Sequence, residues 1–495
     1  MTNTVTELNP RRWAALAVLS ASLLLITMDM TILNVALPQI SADLRPGAVE
    51  LLWMIDVYSL VVAGLLVAVS ALGDRWGRKR MLVSGFTVFG LASVAVLWAD
   101  SPAEVIAVRA LLGVGGAMIM PSTLSMIRNL FTDARERATA LGVWAAMAAV
   151  GGALGPIVGG LLLEAFSWHA AFLVNVPIMA VAVVTGLLLL PESRNLSPGR
   201  WDVLGTVLSM VGMIALVYAI KHVATEGLDA WTALTVVLAA IALTWFVRRC
   251  LRRPDPLLEI RLFRGGAFTS GTVAAFTTSI AMAGMMLLMV QWAQLVQGYS
   301  PLQTGLAMLP MAAGSAVLSP LAPALATRIG ARTVLAGGLM VGGLGFAVLW
   351  VAPTTYLWVA VSILLIGAGM GSLAIASAVI MAGAPAEKAG SAAAIEETSY
   401  EIGGTFGVAV LGSLATALYR AELPEGATDA VRESLGGALA AARAIGSSDL
   451  AAQATLAFTE SLRTTSLYGA VLMLLAAAAV WWRTPARLDL ATAQH

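Results

Sequence analysis

The chain has 495 residues, of which 59% are hydrophobic and only 12% are charged. Soluble proteins carry about 25% charged residues, so this composition excludes an ordinary soluble fold and indicates a protein that lies in the lipid bilayer. The net charge of +1 gives no support for a nucleic-acid partner, and the single cysteine, Cys250, excludes an intramolecular disulfide and a multi-cysteine metal site.

Apolar segments recur along the whole chain. A bilayer core about 30 Å thick requires roughly 20 apolar residues per helix. The first segment follows Arg11 and Arg12 but contains Asp29 and lacks a small-residue cleavage site, so we interpret it as a signal anchor. Segments of sufficient length predict fourteen membrane spans, near residues 13–37, 51–71, 81–98, 104–127, 138–163, 170–190, 202–221, 231–247, 267–291, 304–326, 333–351, 357–382, 393–418 and 466–482.

Basic residues are concentrated in alternate loops, whereas the short loops of the other side hold only Arg45 and Lys221. The positive-inside rule therefore predicts that both termini are cytoplasmic and that the protein is a multi-pass protein of the cell membrane. The longest outer loop, residues 419–462, is rich in Ala, Gly and Ser. We interpret it as a disordered connector in preference to a short helix or hairpin.

One stretch of sequence is repeated. Residues 71–79 read ALGDRWGRK after the second span, and residues 324–332 read ALATRIGAR after the tenth. Parallel six-helix repeats build one large transporter fold. The placement predicts an N-terminal six-helix half (1–190), two inserted helices with their linkers (191–264) and a C-terminal six-helix half (265–495).

The first copy of the repeat carries a dense set of charges. In GDRWGRKR, Asp74 stands beside four bases, Arg75, Arg78, Lys79 and Arg80, in a turn flanked by glycines. A plain positive-inside anchor would explain these bases. The motif, however, resembles the signature loop of the major facilitator superfamily, which implies a charge latch that locks the two halves in one state of a transport cycle. The residues of this gating loop are Gly73, Asp74, Arg75, Gly77, Arg78 and Lys79.

A second motif lies in the fifth span, where GGALGPIVGG places Gly151, Gly155 and Gly159 four residues apart on one helix face. Close packing of small residues would explain the glycines. The string GPIVGG, which includes Pro156 and Gly160, resembles the antiporter motif of exporters in the superfamily. This resemblance implies export rather than import.

Further segments extend the resemblance over nearly the whole chain, apart from the outer loop and the tail. MDMTILNVALP, WMIDVYSL, RALLGVGGAMIMPSTLSMI, WHAAFLVNVP and AIEETSYEIG are similar to the DHA2 family of fourteen-span drug:H+ antiporters, especially the quaternary-ammonium and dye exporters of Gram-positive bacteria and their actinobacterial relatives. The resemblance implies an all-α membrane protein with the major facilitator fold.

The expected activity is export of lipophilic cations in exchange for protons, which serve as the coupling ion. No GxxxxGK[ST] phosphate loop occurs, so ATP is not expected to drive transport directly. We expect a monomer without a bound cofactor or metal. The alternative within transport is a dedicated exporter of an endogenous antibiotic or lipid. A membrane-embedded enzyme or a sensor is a poorer fit because the sequence offers no catalytic constellation.

Ionisable residues inside the spans are the candidates for coupling and substrate binding. An Asp at a helix centre costs about 2.5–3.5 kcal/mol on insertion scales, so such residues usually have a function. Glu397 and Glu401 are four apart on one helix face, and two carboxylates in a low-dielectric site resist ionising together. A proton and a cation could then compete for them. The candidates are Asp29, Asp56, Arg109, Glu396, Glu397 and Glu401.

Alternatives remain open for several of these residues. The counter-charge of Arg109 could be Asp29 or Asp56, and Asp56 could instead lie at the membrane interface. For Glu396, which is near the cytoplasmic end of its span, a solvated position is favoured. The resemblance assigns proton coupling and cation recognition to Asp29, Glu397 and Glu401.

Aromatic and methionine side chains could line a pocket for aromatic cations. For the methionines of the ninth span, contact with lipid or a neighbouring helix is the favoured interpretation, and aromatic residues near span ends are often interface anchors. The candidates are Trp53, Tyr58, Trp144, Met285, Met289, Trp292 and Tyr400.

Overall fold

The computed structural model describes residues 12–46, 48–193, 202–226, 229–385, 388–424, 428, 431–432 and 434–485. Within this part of the chain the regular structure is helical and no strand occurs. The first group of helices is α1 (Arg12–Leu44), α2 (Ala48–Trp76), α3 (Arg78–Ala95), α4 (Pro102–Leu130), α5 (Ala134–Ala165), α6 (Ala170–Leu173) and α7 (Asn175–Leu189).

An inserted pair follows, α8 (Val203–Glu226) and α9 (Ala230–Arg252). The last group is α10 (Gly266–Gln291), α11 (Pro301–Ala307), α12 (Leu309–Ile329), α13 (Ala331–Val351), α14 (Tyr356–Gly369), α15 (Gly371–Ala382), α16 (Ala389–Glu422), α17 (Leu435–Ile445) and α18 (Ser448–Arg483).

Fourteen stretches of these helices are long and apolar enough to cross a membrane, which confirms the expected number of spans. The pairs α6–α7, α11–α12 and α14–α15 each form a single span. Because the number of spans is even, α1 begins and α18 ends at the same face of the molecule. We call it the basic face, since it carries Arg12, Arg78, Arg128 and Arg483.

The repeated sequence forms a repeated turn at the basic face. Gly77, between α2 and α3, has a φ of 119°, and Gly330, between α12 and α13, has a φ of 87°. Residues with a Cβ rarely adopt such angles, so each turn requires glycine. The flanking side chains differ between the copies. Asp74 accepts hydrogen bonds from Arg78 in the first copy, whereas Thr327 in the second donates to the carbonyl of Ala324 in its own helix.

The two halves are packed together at the basic face. One buried hydrophobic cluster fills the bundle of α1–α7 and continues into the basic-face ends of α10, α15 and α16 through Phe268, Ile380 and Ala393. A second cluster lies within α10–α18. Apolar packing is roughly as dense as an organic crystal, so the shared cluster closes the basic face to solvent between the halves.

The inserted helices are joined to each other at their basic-face ends. The carboxylate of Asp202 lies 2.9 Å from Arg249 and 3.2 Å from Arg253. Burial disfavours the charged form of Asp202, but hydrogen bonds from Arg249 and the Gly205 amide, with the two guanidinium charges, outweigh it and lower the pKa of this carboxyl. Asp202 therefore links the start of α8 to the end of α9.

The described residues of the outer segment 419–462 form more regular structure than the disordered connector that its composition predicts. The Tyr419 hydroxyl donates to the carbonyl of Val431 at 3.0 Å, and Val431, Leu435 and Ala438 are buried in the C-terminal cluster. The last span begins as early as Ser448. The prediction was wrong because Leu435, Ala438 and Ala442 share one side of α17, and that side packs on the bundle.

The glycines of the fifth span allow α5 to approach α1 closely. A side chain on Gly155 would overlap the hydroxyl of Thr31 and the carbonyl of Met28. Gly151 and Gly159 face α1 in the same way, against Thr27 and Ile32. The helical spacing of these glycines is therefore used for packing within the first half.

The end of the same motif faces the other half. Gly160 lies next to Leu302 of α11, and Pro156 lies next to Gly305 of the same helix. The motif thus packs on α1 with one side and on α11 with the other. The glycines therefore serve close packing within the first half, and the end of the motif also lies at the interface between the halves.

We expect Gly155→Ala to lower the melting temperature of the purified protein, because overpacking a tight contact typically costs about 1–3 kcal/mol. Gly152 is the matched control, since a methyl group there would meet no atom within 4 Å. Gly152→Ala should be neutral or slightly stabilising, because alanine is the better helix former. Thermal unfolding in detergent measures both, and equal melting temperatures for the two variants would contradict the packing assignment.

Candidate functional site

Asp29 of α1 is buried, and both of its carboxylate oxygens accept hydrogen bonds. Arg109 of α4 donates to Oδ2 at 3.3 Å, and Asn175, the first residue of α7, donates to Oδ1 at 2.6 Å. The exposed fraction of the Asp29 side chain is 1%, and that of Arg109 is 3%. A buried charge must be paired and hydrogen-bonded, and Asp29 meets both conditions.

Arg109 is held by a third helix. Its Nε donates to the carbonyl of Met54 in α2 at 3.1 Å, and its guanidinium carbon lies 4.9 Å from the ring centre of Tyr58. Of the two carboxylates considered as its counter-charge, the structure selects Asp29. Asp56 does not pair with Arg109. It forms a salt bridge with Lys221 of the inserted helix α8.

Asn175 and Ser93 complete this group and were not identified from the sequence. Asn175 is fully buried, and its side chain is also 3.4 Å from the hydroxyl of Ser93. The available signal was a lone amide in an apolar stretch, VNVP, inside a motif already noted for its resemblance. An amide in hydrocarbon requires a partner, but the sequence did not indicate which helix supplies it.

The acidic residues of α16 lie in three different environments. Glu396 is fully buried and accepts hydrogen bonds from Ser377 of α15 and from the hydroxyl of Tyr400. The favoured solvated position for Glu396 is therefore wrong, because the end of α15 covers this side of α16. Glu397 is also buried, whereas Glu401 is partly exposed and lies within the electrostatic reach of Lys221.

Several polar atoms at these acids are unsatisfied. Within the described part of the chain, the hydroxyl of Tyr58, Oε2 of Glu396 and Oε1 of Glu397 are buried and have no hydrogen-bond partner. The charges of Asp29, Arg109, Glu397 and Glu401 all act on Tyr58. Tyr58 therefore lies near the paired charges of the first half and near the carboxylates of α16, and the site retains capacity for a proton or a polar ligand.

The remaining pocket candidates divide into two groups. Trp53 is partly exposed and stacks on Tyr218 of α8, with ring centres 6.3 Å apart. Trp144 is buried and donates to the hydroxyl of Thr123 at 3.2 Å. The other three candidates belong to the buried cluster of the C-terminal half: Met285, Met289 and Trp292. Their contacts are those of core residues packed inside that half, rather than contacts with the acidic residues.

The gating loop contacts the opposite half. Arg78 donates to Asp74 Oδ1 from Nε at 2.9 Å and from Nη2 at 2.8 Å. The carboxylate of Asp74 lies against Gly390, in the first turn of α16, and the hydroxyl of Ser70 donates to the carbonyl of Gly390 at 2.8 Å. An anion is stabilised at the N-terminus of a helix, so Asp74 joins α2 to α16 as well as to Arg78.

The rest of the loop is fixed within the first half. The ammonium group of Lys79 donates to the carbonyl of Leu187 at 2.7 Å, and the amide of Arg78 donates to the carbonyl of Ser193 at 2.8 Å. Across the same face, Arg128 of α4 donates to the carbonyl of Ala384, at the end of α15. Several polar contacts between the halves thus lie at the basic face.

Comparison with known proteins places this geometry in a family. The family model for the Major Facilitator Superfamily matches residues 19–408. The multidrug efflux pump LfrA of Mycolicibacterium smegmatis is 42% identical over 491 residues, which cover 97% of each chain. The methyl viologen resistance protein SmvA of Salmonella typhimurium is 39% identical over 417 residues, which cover 83% of this chain and 84% of SmvA.

The fold is shared with solved transporters of low sequence identity. The crystal structure of the human organic anion transporter MFSD10 superimposes with a TM-score of 0.60 at 15% identity, covering 94% of this chain and all of that one. Together with the fourteen apolar spans, the matches identify a multi-pass protein of the cell membrane and confirm the resemblance seen in the motifs. The chain belongs to the Major Facilitator Superfamily, a family of transporters.

Proposed function

We propose that the protein exports lipophilic, mainly cationic drugs across the cell membrane in exchange for protons, by alternating access. The proposal rests on a difference in hydrogen bonding and charge pairing between the acids of the two halves. Asp29 is neutralised by Arg109 and hydrogen-bonded by Asn175. The acids of α16 include Glu397, which is buried with an unpartnered oxygen.

A positive charge or a proton would stabilise this second group. Desolvated carboxylates without a fixed counter-charge either bind a proton or attract a cation. The two occupants would compete for the same oxygens, and this competition is the requirement for antiport. The similarity to the multidrug efflux pump LfrA and to the methyl viologen resistance protein SmvA supports this proposal.

The basic face corresponds to the cytoplasm under the positive-inside rule. The packed halves and the Asp74 contacts then describe a state that is closed toward the cytoplasm. The contact of Asp74 with the first turn of α16 favours this state, because a helix N-terminus stabilises the carboxylate. Opening toward the cytoplasm would require that contact to break.

We expect Asp29→Asn, Glu397→Gln and Glu401→Gln each to reduce gradient-driven transport to background. The two Gln variants remove a carboxylate from the group that would exchange a proton for a cation, and Asp29→Asn leaves the buried charge of Arg109 without its counter-charge. The measurement is ethidium movement in proteoliposomes with an imposed pH gradient. Glu460→Gln is the matched control, since this carboxylate lies at the surface beside Arg463.

Three outcomes would count against the proposal. Wild-type transport by the Glu401→Gln protein would remove that residue from the mechanism. Transport that persists in the wild-type protein after the gradient is collapsed would exclude proton coupling. Strict transport of a single class of antibiotic or lipid would favour a dedicated exporter.

We expect Gly390→Ala to slow turnover while the affinity for ethidium changes little, because a methyl group there would overlap the Asp74 carboxylate and weaken the closed state. Asp74→Asn should have a similar effect. Gly404→Ala on the same helix is the control, since its methyl group would make ordinary contact with Ser279 and Ala283. Parallel loss of binding and transport in the Gly390→Ala protein would contradict a latch.

A further inference from the structure

The inserted helix α8 covers the line along which the two halves meet. A small hydrophobic cluster joins Leu60 and Ala63 of α2 to Met213 and Val217 of α8, and Ile402 of α16 packs against it. Helix α8 therefore contacts one helix of each half. A residue of α8 that points into this junction therefore lies near both α2 and α16.

Lys221 is such a residue. It lies near the end of α8 that is remote from the basic face, forms a salt bridge with Asp56 of α2, and acts electrostatically on Glu401 of α16. The exposed fractions of the Lys221 and Asp56 side chains are 24% and 25%. The pair is therefore within reach of solvent and of a ligand, in contrast to the buried pair Asp29–Arg109.

Aromatic rings border the same place. Trp53, one turn before Asp56 on α2, stacks on Tyr218, one turn before Lys221 on α8, with an angle of 29° between the rings. Carboxylates combined with aromatic faces are the groups that recognise quaternary ammonium ions in proteins. We name Trp53, Asp56, Tyr218 and Glu401 the acidic mouth, and the group that neutralises it in this structure is the ammonium of Lys221.

We propose that Lys221 is a specificity-determining residue, an inference that rests on the proposed export of cations. The ammonium group of Lys221 acts as a tethered cation: it occupies the acidic mouth and competes there with the positive charge of the substrate. A ligand with one positive charge must outweigh its repulsion by Lys221 in order to approach Asp56 and Glu401. A ligand with two charges is repelled twice as strongly, whereas a neutral ligand is unaffected.

Coulomb's law makes the effect scale with ligand charge. At an effective dielectric constant of about 20, one unit charge about 12 Å from another changes an equilibrium constant about tenfold. Removal of the Lys221 charge should therefore tighten the binding of a monocation about tenfold and of a dication about a hundredfold. A purely structural role of Lys221 would alter all ligands alike.

Another charged pair is close to the mouth and must be held constant. His222, next to Lys221, lies 3.9 Å from Asp229 at the start of α9. The charge of a histidine changes near neutral pH. All affinities should therefore be compared at one pH.

The experiment measures the Kd of purified protein in nanodiscs for ethidium, methyl viologen and Nile red, with charges of one, two and zero. Lys221→Gln should tighten ethidium about tenfold and methyl viologen about a hundredfold, and leave Nile red unchanged. Asp56→Asn should weaken the two cations in the same ratio. The double variant Asp56→Asn/Lys221→Gln, which restores the net charge, should return both affinities toward the wild-type values.

Two further variants separate charge from structure. Lys221→Arg keeps the charge and should keep the wild-type order of affinities. Arg463→Gln removes a base outside the mouth, beside Glu460, and should shift none of the three ligands. If Lys221→Gln does not fold, the Asp56→Asn protein and the double variant make the same comparison.

The outcomes distinguish this inference from the proposed function. Binding of ethidium that is equal in all variants, or shifts of the same size for all three ligands, would overturn the role of Lys221 while export of cations stands. Failure of wild-type protein to bind or transport either cation would overturn the proposed function itself. Shifts in the ratio of zero to one to two on a logarithmic scale would support the tethered cation.

Discussion

The buried pair of Asp29 and Arg109 is the interaction on which the first half depends. Neither charge could remain among apolar helices alone, and removal of one partner from a buried pair typically costs about 3–5 kcal/mol. Their hydrogen bonds therefore fix the relative positions of four helices. Asp29 belongs to α1, Arg109 to α4, Asn175 to α7, and the carbonyl that accepts from Arg109 belongs to Met54 of α2. The packing of α5 on α1 through glycine adds a fifth helix to this rigid unit.

The acids of α16 differ from this unit because their hydrogen bonding is incomplete. Both donors to Glu396 bind one of its oxygens, so Glu396 and Glu397 each retain a carboxylate oxygen without a partner. The hydroxyl of Tyr58 on the facing helix α2 has no partner either. Unsatisfied buried groups are costly in a low-dielectric interior. The cost disappears when a proton or a polar ligand enters between the halves. The unsatisfied oxygens of α16 and Tyr58 are therefore suited to the proposed binding of a proton or a cation.

The sequence predicted the number of spans, the repeated turn and most of the membrane-depth ionisable residues, because hydropathy and helical spacing are local properties. It did not predict how these residues pair. Asp56 and Arg109 are both intramembrane and of opposite charge, but Lys221, which appeared to be a loop residue, is the partner of Asp56. Glu396 seemed solvated from its position along the helix, and only the packing of α15 shows otherwise. Pairing depends on which helices are neighbours, and a single sequence does not specify that.

Helices α2 and α16 each carry residues of the acidic site and residues of the contact at the basic face. Helix α2 carries Asp56 and Tyr58 at one end and Asp74 at the other, about 24 Å from Tyr58 at 1.5 Å per residue. Helix α16 carries Gly390 in its first turn, and Glu401 about 16 Å farther along. A cation or proton that binds at the carboxylates alters their attraction to Lys221. This change acts on α2 and α16, and the basic-face ends of the same two helices are joined by Asp74 and Ser70. Packed helices move as rigid bodies between discrete arrangements. The contacts at the two ends of the α2–α16 interface therefore cannot change independently. Loss of charge balance at the acidic mouth and release of the Asp74 contact are therefore expected to bias the same equilibrium, with no separate pathway of side chains required between them.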